Sequence, residues 1–286
     1  MLIFHDPQCA DYGSSLRPEQ PARIIGSVAH LRALHGDWEW RLPVAAADDV
    51  LLLAHTAAHL KRLRLPTDFD SDTPFFNGIE DHARRAVGAA VNAAEHALNS
   101  AQPVFSLMRP PGHHATASQA MGFCYLNSIA TSALYAQSKL GARRVAVWDF
   151  DAHHGNGTEA ILQGRENFLF TSVHQSPGYP GTGTSSFKNC HNWPVPPQCA
   201  AKRHMAALRE SLDRVISFAP SLILVSAGFD AYIDDPITSM TLEISDFSTL
   251  GRWLREAKIP AAAILEGGYS PDLPLLIDAF LSAWKE

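Results

Sequence analysis

The segment Ala146-Val-Trp-Asp-Phe-Asp-Ala-His-His-Gly-Asn-Gly-Thr158 runs an apolar stretch directly into carboxylates and imidazoles. Side chains two apart on an extended chain point the same way, so Asp149, Asp151 and His153 can line one wall, with Gly155 and Gly157 turning the chain away. Two metal ligands and a buried supporter fit such a wall. Far downstream, Leu222-Ile-Leu-Val-Ser-Ala-Gly-Phe-Asp230 is a second apolar run that ends on a carboxylate. Ligands bind at strand ends in parallel sheets. Asp151, His153 and Asp230 would therefore give a divalent metal three protein ligands and leave a position for water, the catalytic rather than the structural arrangement of zinc.

Arg109-Pro-Pro-Gly-His-His-Ala115 places two histidines side by side after another apolar run, where prolines and a glycine restrict the backbone. A single histidine is ordinarily a satisfied polar residue. Adjacent histidines beside a metal cluster can supply an acid and a base, with Asp149 and Asn156 as their orienting partners. A carboxylate on the far ring nitrogen raises imidazole basicity, whereas an amide only orients it, so the two rings should differ in proton affinity. Glu266-Gly-Gly-Tyr269 completes the set: the paired glycines read as a hinge that brings the Tyr269 hydroxyl toward the metal.

The elements that must position these groups are short apolar strands at 2–4, 104–107, 145–150, 168–173, 222–226 and 261–265. They alternate with amphipathic stretches, which predicts an α/β fold with a mostly parallel sheet and helices on both faces. Helical period is kept by Ile24, Ile25, Val28 and Leu31, by the alanine-rich row from Ala83 to Ala94, and by Leu208, Leu212, Val215 and Ile216. Ser245 reads as the N-cap of a helix carrying Phe247, Leu250, Trp253 and Leu254, and Asp272 with Pro274 opens the last helix. Two irregular stretches, 65–78 and 175–197, are long enough to be functional loops. The first holds Asp68, Asp70 and Asp72, either a solvated run or part of the site mouth; the second holds Gly178-Tyr-Pro-Gly-Thr-Gly183, turns that present Tyr179.

With 286 residues, 46% of them hydrophobic, and no linker, the chain reads as one domain over 1–286. Its net charge of −6 without a basic run argues against nucleic-acid binding and is compatible with a cationic substrate. Cys9, Cys124, Cys190 and Cys199 lack metal-site spacing and read as reduced thiols of a cytosolic protein. Neither a leader nor a membrane-spanning run is expected.

RPPGHHA, GFCYLN, DFDAHHGNGT, SAGFD and EGGY, in this order, resemble the histone deacetylase and acetylpolyamine amidohydrolase family, and the likeness covers nearly the whole chain. It implies a single-domain, three-layer α/β/α fold of arginase-like type and one zinc per chain on Asp151, His153 and Asp230. It further implies that Tyr269 donates to the oxyanion, that His114 is general base and then acid, and that His113, paired with Asp149, is an electrostatic helper. Gly122, Phe123 and Tyr179 would line a tunnel for a slender alkyl chain. A structural potassium site matches Asp149, Ser172 and the backbone of Asp151, His153 and Val173. Asn156 stands where class I enzymes carry aspartate and aligns the chain with the class II branch, while Arg17-Pro-Glu-Gln-Pro replaces the usual His-Pro-Glu-Arg-Pro near the tunnel floor.

The implied reaction is metal-dependent hydrolysis of an N-acyl amide. A binuclear arginase-type hydrolase would need further carboxylates where Gly155 and Tyr232 stand, and a catalytically dead binding module would not retain every ligand. For substrate, a polyamine-preferring branch places a glutamate where this chain has Ile237, and Asp72 matches a rim aspartate that grips peptide backbone. Both favour acyl-lysine over a small acetylated amine. The acidic run 68–72 is the feature that could attract a polycation instead.

Overall fold

The protein is described here by a computed structural model covering residues 1–286. Its strands are β1 (Leu2–Phe4), β2 (Glu39–Arg41), β3 (Val104–Ser106), β4 (Val145–Asp149), β5 (Phe168–Gln175), β6 (Cys190–Val195), β7 (Leu222–Ala227) and β8 (Ala261–Leu265). All eight lie in one sheet in the order β2-β1-β3-β8-β7-β4-β5-β6, and every pairing is parallel. The main helices are α1 (Ala22–Leu34), α2 (Asp48–Leu51), α3 (Ala57–Arg62), α4 (Ile79–Ser100) and α5 (Ser128–Leu140), followed by α6 (Asn156–Leu162), α7 (Ala201–Ser217), α8 (Ile244–Ala257) and α9 (Leu273–Lys285).

Helices α4, α5 and α6 cover one face of the sheet, and α1, α7, α8 and α9 the other, giving the expected three layers. Because both faces are covered, β4, β7 and β8 are buried at every residue, which is why they read as unbroken apolar runs rather than alternating ones. Trp148 and Phe150 point to the same side of β4, where Trp148 Nε1 donates to Ser211 Oγ of α7 at 2.9 Å and Phe150 packs on Phe280 of α9. A smaller apolar cluster, with Leu51, Leu60, Leu63, Ile79 and Tyr125, supports the 65–78 loop. No helix is long and apolar enough to cross a membrane.

Six strands were expected and eight are present. β2 is a polar, largely exposed edge of three residues without an apolar run to announce it. β6 lies inside the stretch expected to be irregular and pairs with β5 from Phe170↔Cys190 to Gln175↔Val195. Pro194 within it suits only an edge, where the missing N–H faces no neighbour, and β6 is the last strand of the sheet. Helix α8 begins one residue before Ser245: Glu243 is its N-cap, and Asp246 returns a bond to the Glu243 backbone N–H, so a capping box displaces the expected serine cap. Ile25, expected in the core with Ile24, is 58% exposed. The last helix does open after Asp272 with Pro274 in its first turn.

Gly251 lies where α8 presses on α9, and a Cβ there would stand 2.1 Å from the Phe280 carbonyl oxygen. Backbone cannot rotate away as a side chain can. Gly251→Ala should therefore cost about 1–3 kcal/mol through overpacking, outweighing the ~1 kcal/mol that alanine gains in a helix. Thermal unfolding should show a Tm several degrees lower; an unchanged Tm would mean that the helices separate freely at this point.

Candidate active site

The strand order gathers the reactive groups. Strands β7 and β8 lie between β3 and β4, so the segments leaving β3, β8, β7 and β4 emerge side by side at one edge of the sheet. They carry the histidine pair, Glu266 to Tyr269, Asp230, and Asp149 to His153 respectively.

Asp151, His153 and Asp230 each offer a ligand atom, and these atoms lie within 4.8 Å of one another. His153 Nδ1 stands 2.8 Å from Asp230 Oδ2 and 3.2 Å from Asp151 Oδ1. The other oxygens are used by backbone: Ala152 N–H donates to Asp230 Oδ1 at 2.7 Å, and Gly267 N–H to Asp151 Oδ2 at 2.8 Å. A Cβ on Gly267 would come within 2.3 Å of Asp230 Oδ2, so only glycine lets the β8 segment approach both carboxylates. Two buried carboxylates and an imidazole converging in this way form a possible metal-binding triad.

The two histidines differ as their expected partners dictate. His113 Nδ1 meets Asp149 Oδ2 at 3.1 Å, and His114 Nδ1 meets Asn156 Oδ1 at 2.8 Å. Burial opposes a charge on His113, but the Asp151 and Asp149 carboxylates overcome it and push the imidazole up to about 10. Burial, then the positive charge of His113, hold His114 well below the usual imidazole range, so it is neutral at pH 7. An amide oxygen can only accept, so His114 carries its hydrogen on Nδ1 and leaves Nε2 as a free base.

Tyr269 completes the ring of groups, but its loop is no hinge. Arg23 donates from Nη2 to Glu266 O at 2.6 Å and from Nε to Gly268 O at 2.7 Å, and its guanidinium lies 4.7 Å from the Tyr269 ring centre. Asp235 Oδ2 accepts from Tyr269 N–H at 2.7 Å, and Gly267 is tied to Asp151. All four residues are pinned. Burial keeps the Tyr269 phenol well above its usual range, so it remains a proton donor.

Sequence reasoning missed the support beneath. Glu19, buried beside the fully buried Arg109, takes that guanidinium at two points, 2.5 and 2.6 Å, and also receives Arg23 Nη1 at 3.2 Å. The Glu19–Arg23 spacing of four across the start of α1 was legible as an ion pair, though its burial was not. Glu266 accepts from the Gly112 and His113 backbone at 2.6 and 3.1 Å, clamping the histidine segment to the end of β8. Burial pushes this carboxyl up to about 7.

A cavity of about 290 Å³ leads to the triad and is lined by His114, His153 and Tyr269 together with Gly122, Phe123, Tyr179, Ile237, Asp72, Arg17 and Pro18. Each residue expected at the tunnel or rim is present. Phe123 is held at φ +67 and its N–H donates to Thr73 Oγ1 at 3.1 Å, a strained backbone fixed by the 65–78 loop. In that loop Asp70 accepts from the Asp72 and Thr73 backbone and Asp68 from Phe75 N–H, so two of the three acids are structural. Asp72 alone faces the cavity. Arg17, expected near the floor, sits instead beside Asp72, where its Nη1 donates to Ser71 O. The 178–183 turns present Tyr179 edge-on to His114, with ring centres 5.0 Å apart.

Ser172 and Val173 lie in the second half of β5, with Ser172 in register with Asp149. His174 is neutral because burial, then His154, hold it at about 3, and its Nε2 donates to Gly183 O at 3.1 Å. Its Nδ1 must then accept from Ser172 Oγ at 2.9 Å, which leaves the hydroxyl lone pairs free.

Residues 17–283 match the family model described as the histone deacetylase domain. The chain belongs to the histone deacetylase family. A probable deacetylase of Archaeoglobus fulgidus is 33% identical over 94% of this chain and 81% of its own length. Acetylpolyamine amidohydrolase 1 of Pseudomonas aeruginosa is also 33% identical, covering 88% of this chain and 78% of that protein. Among solved structures, the HD domain of HDA15 is similar with a TM-score of 0.92 at 29% identity, covering 99% of this chain and 90% of that one. An acetylpolyamine aminohydrolase from Burkholderia pseudomallei gives a TM-score of 0.84 at 25% identity, covering 99% and 98%. This family member is a hydrolytic deacetylase.

Gly122 tests the shape of its cavity. Its φ is +56, and a Cβ would stand 2.6 Å from His114 Cδ2 and 2.9 Å from Tyr179 Cε1. Gly122→Ala should lower deacetylase kcat/KM at least about tenfold by displacing the base or narrowing the slot, with bound metal unchanged. Wild-type kinetics would mean that substrate does not pass this wall.

Proposed function

We propose that the protein, acting as a single catalytic domain over its whole length, is a zinc-dependent hydrolase that removes acetyl or longer acyl groups from lysine side chains. The observation that carries this reading is the convergence of the Asp151, His153 and Asp230 ligand atoms on the cavity that His114 and Tyr269 also line. Two carboxylates and one imidazole suit zinc and leave room for water and a substrate oxygen. A single ion is favoured because a Cβ on Gly155 would meet Asp149 Oδ2 at 2.3 Å, and the Tyr232 hydroxyl is engaged with Asp272 at 3.2 Å. Neither position can add a carboxylate for a second metal of the arginase kind.

When bound, the metal would polarise the acyl carbonyl and lower the pKa of a water to about 7. The chain's own groups do the rest. Tyr269 donates its hydroxyl hydrogen to the carbonyl oxygen as negative charge gathers there. Asn156 holds His114 so that Nε2 takes a proton from the attacking water and delivers it to the departing amine. His113, charged through Asp149 and Asp151, offsets the developing negative charge. For potassium, we propose Asp149, Ser172 and the backbone of Asp151, His153 and Val173. The free Ser172 lone pairs support it, as do the Asp151 and His153 carbonyls, which accept no hydrogen bond.

Acyl-lysine is favoured over acetylpolyamine because Ile237 places no carboxylate at the mouth, while Asp72 can accept peptide N–H groups. Similarity to proteins named acetylpolyamine amidohydrolase keeps that second substrate class as the rival.

Asn156→Asp would put a carboxylate on His114 Nδ1 and raise its pKa, so a higher pH would be needed to free the base. The acid limb of the kcat/KM profile should move up by about 1–3 pH units; an unmoved limb would remove His114 as the base. Substrate and metal are tested together on metal-loaded protein. One zinc per chain and faster cleavage of acetyl-lysine peptides than of acetylspermidine or acetylputrescine are expected, with Ile237→Glu shifting preference toward polyamines. Two tightly held transition-metal ions, or a tenfold preference for an acetylpolyamine, would replace this reading.

A further inference from the structure

One charge in the cavity wall has no use in the chemistry described above. Arg17 lines the cavity with Asp72, and the two share a small adjoining hollow with Phe123 and Tyr125. The side chain is partly exposed, and its hydrogen bond from Nη1 to Ser71 O leaves most of the guanidinium hydrogens free. No carboxylate neutralises it. Glu19, two residues on, is consumed by Arg109 and Arg23, and Asp68 and Asp70 are consumed by their own loop. Asp72 is exposed and accepts no hydrogen bond within the protein, so a free cation and a free anion face one opening.

We propose that Arg17 and Asp72 read the two ends of an amino-acid backbone, so that the preferred substrate is an acyl-lysine whose own α-carboxylate is free. This rests on the acyl-lysine reading above. A lysine side chain threaded toward the triad leaves its α-carbon at the mouth, with a nitrogen and a carboxyl carbon attached to that one atom. The planar guanidinium fork matches a carboxylate, and Asp72 matches an ammonium or amide N–H. A lysine inside a peptide offers Arg17 only a neutral carbonyl. A polyamine brings ammonium groups that Arg17 repels, and Ile237 adds no compensating charge. The matching chemistry occurs in free Nε-acetyl-lysine and in a peptide that ends in that residue.

The test compares kcat/KM of metal-loaded enzyme on free Nε-acetyl-lysine, a short peptide ending in Nε-acetyl-lysine, the same peptide as its carboxamide, and acetylputrescine. A charge-assisted contact predicts about tenfold to a hundredfold advantage for the carboxylate peptide over its carboxamide. The advantage should shrink between about 50 and 500 mM salt. Arg17→Gln should bring the ratio to within about twofold, while Arg17→Lys, a point charge without the fork, should retain part of it. Cleavage of the free amino acid as fast as the carboxylate peptide would identify the metabolite as a source, and a peptide-only preference would identify chain termini; either supports the assignment. Equal rates on carboxylate and carboxamide, or a ratio that survives Arg17→Gln, would overturn it and leave the acyl-lysine reading standing. Cleavage of acetylputrescine with neither peptide cleaved would overturn both.

Discussion

Four carboxylates, Asp149, Asp151, Asp230 and Glu266, are fully buried around the ends of adjacent strands, and the rest of the site exists to make that crowding tolerable. Uncompensated charge is far costlier here than at the surface. Compensation is layered. Backbone N–H groups of Gly112, His113, Asp151, Ala152 and Gly267 point at the oxygens, and His113 keeps a proton because two of the carboxylates surround it. What remains is a demand for a cation among Asp151, His153 and Asp230. The same negative field keeps one histidine charged, and that charge helps keep its neighbour neutral.

Rigidity at the site comes from an unexpected direction. The N-terminal segment contributes no ligand, yet Arg23 grips the Glu266 and Gly268 carbonyls while Glu19 joins Arg23 to Arg109, just before the histidine pair. Three segments distant in sequence are thereby tied through one buried carboxylate. Breaking such a network strands the remaining charges, so its members are bound to one another more tightly than their separate hydrogen bonds suggest.

Much of this was legible in the amino-acid sequence because β4, β7 and β8 are buried on both faces and announce themselves as apolar runs ending in Asp149, Asp230 and Glu266. Asp149 and Asn156 followed from residue chemistry as partners of the two histidines, whereas which histidine takes which was implied only by the family resemblance. Edges were illegible for the opposite reason: β2 buries little, β6 is only half buried, and Pro194 in β6 argues against a strand unless the strand is known to be outermost. Gly267 and Gly268 suggested mobility because glycine's two uses, freedom and close approach, look alike in sequence. The Asp151 and Asp230 oxygens beside Gly267, and the Arg23 bond to the Gly268 carbonyl, distinguish them. Arg17 was noticed as an oddity, but its place beside Asp72 depends on the path of the 65–78 loop, which no local pattern encodes.

Strands β7 and β8 fill the gap between β3 and β4, and this sets an order of events on the ribosome. A chain synthesised only through β5 holds β3 and β4 but not as neighbours, each lacking a partner on the side that faces the gap. Asp151 and His153 are synthesised just past the midpoint, Asp230 later, and Tyr269 almost at the end. A nascent chain therefore cannot assemble the three-ligand site until its last third has threaded into the middle of the sheet. The possible metal-binding triad is thus completed only late in synthesis, and no truncated product short of Asp230 retains it.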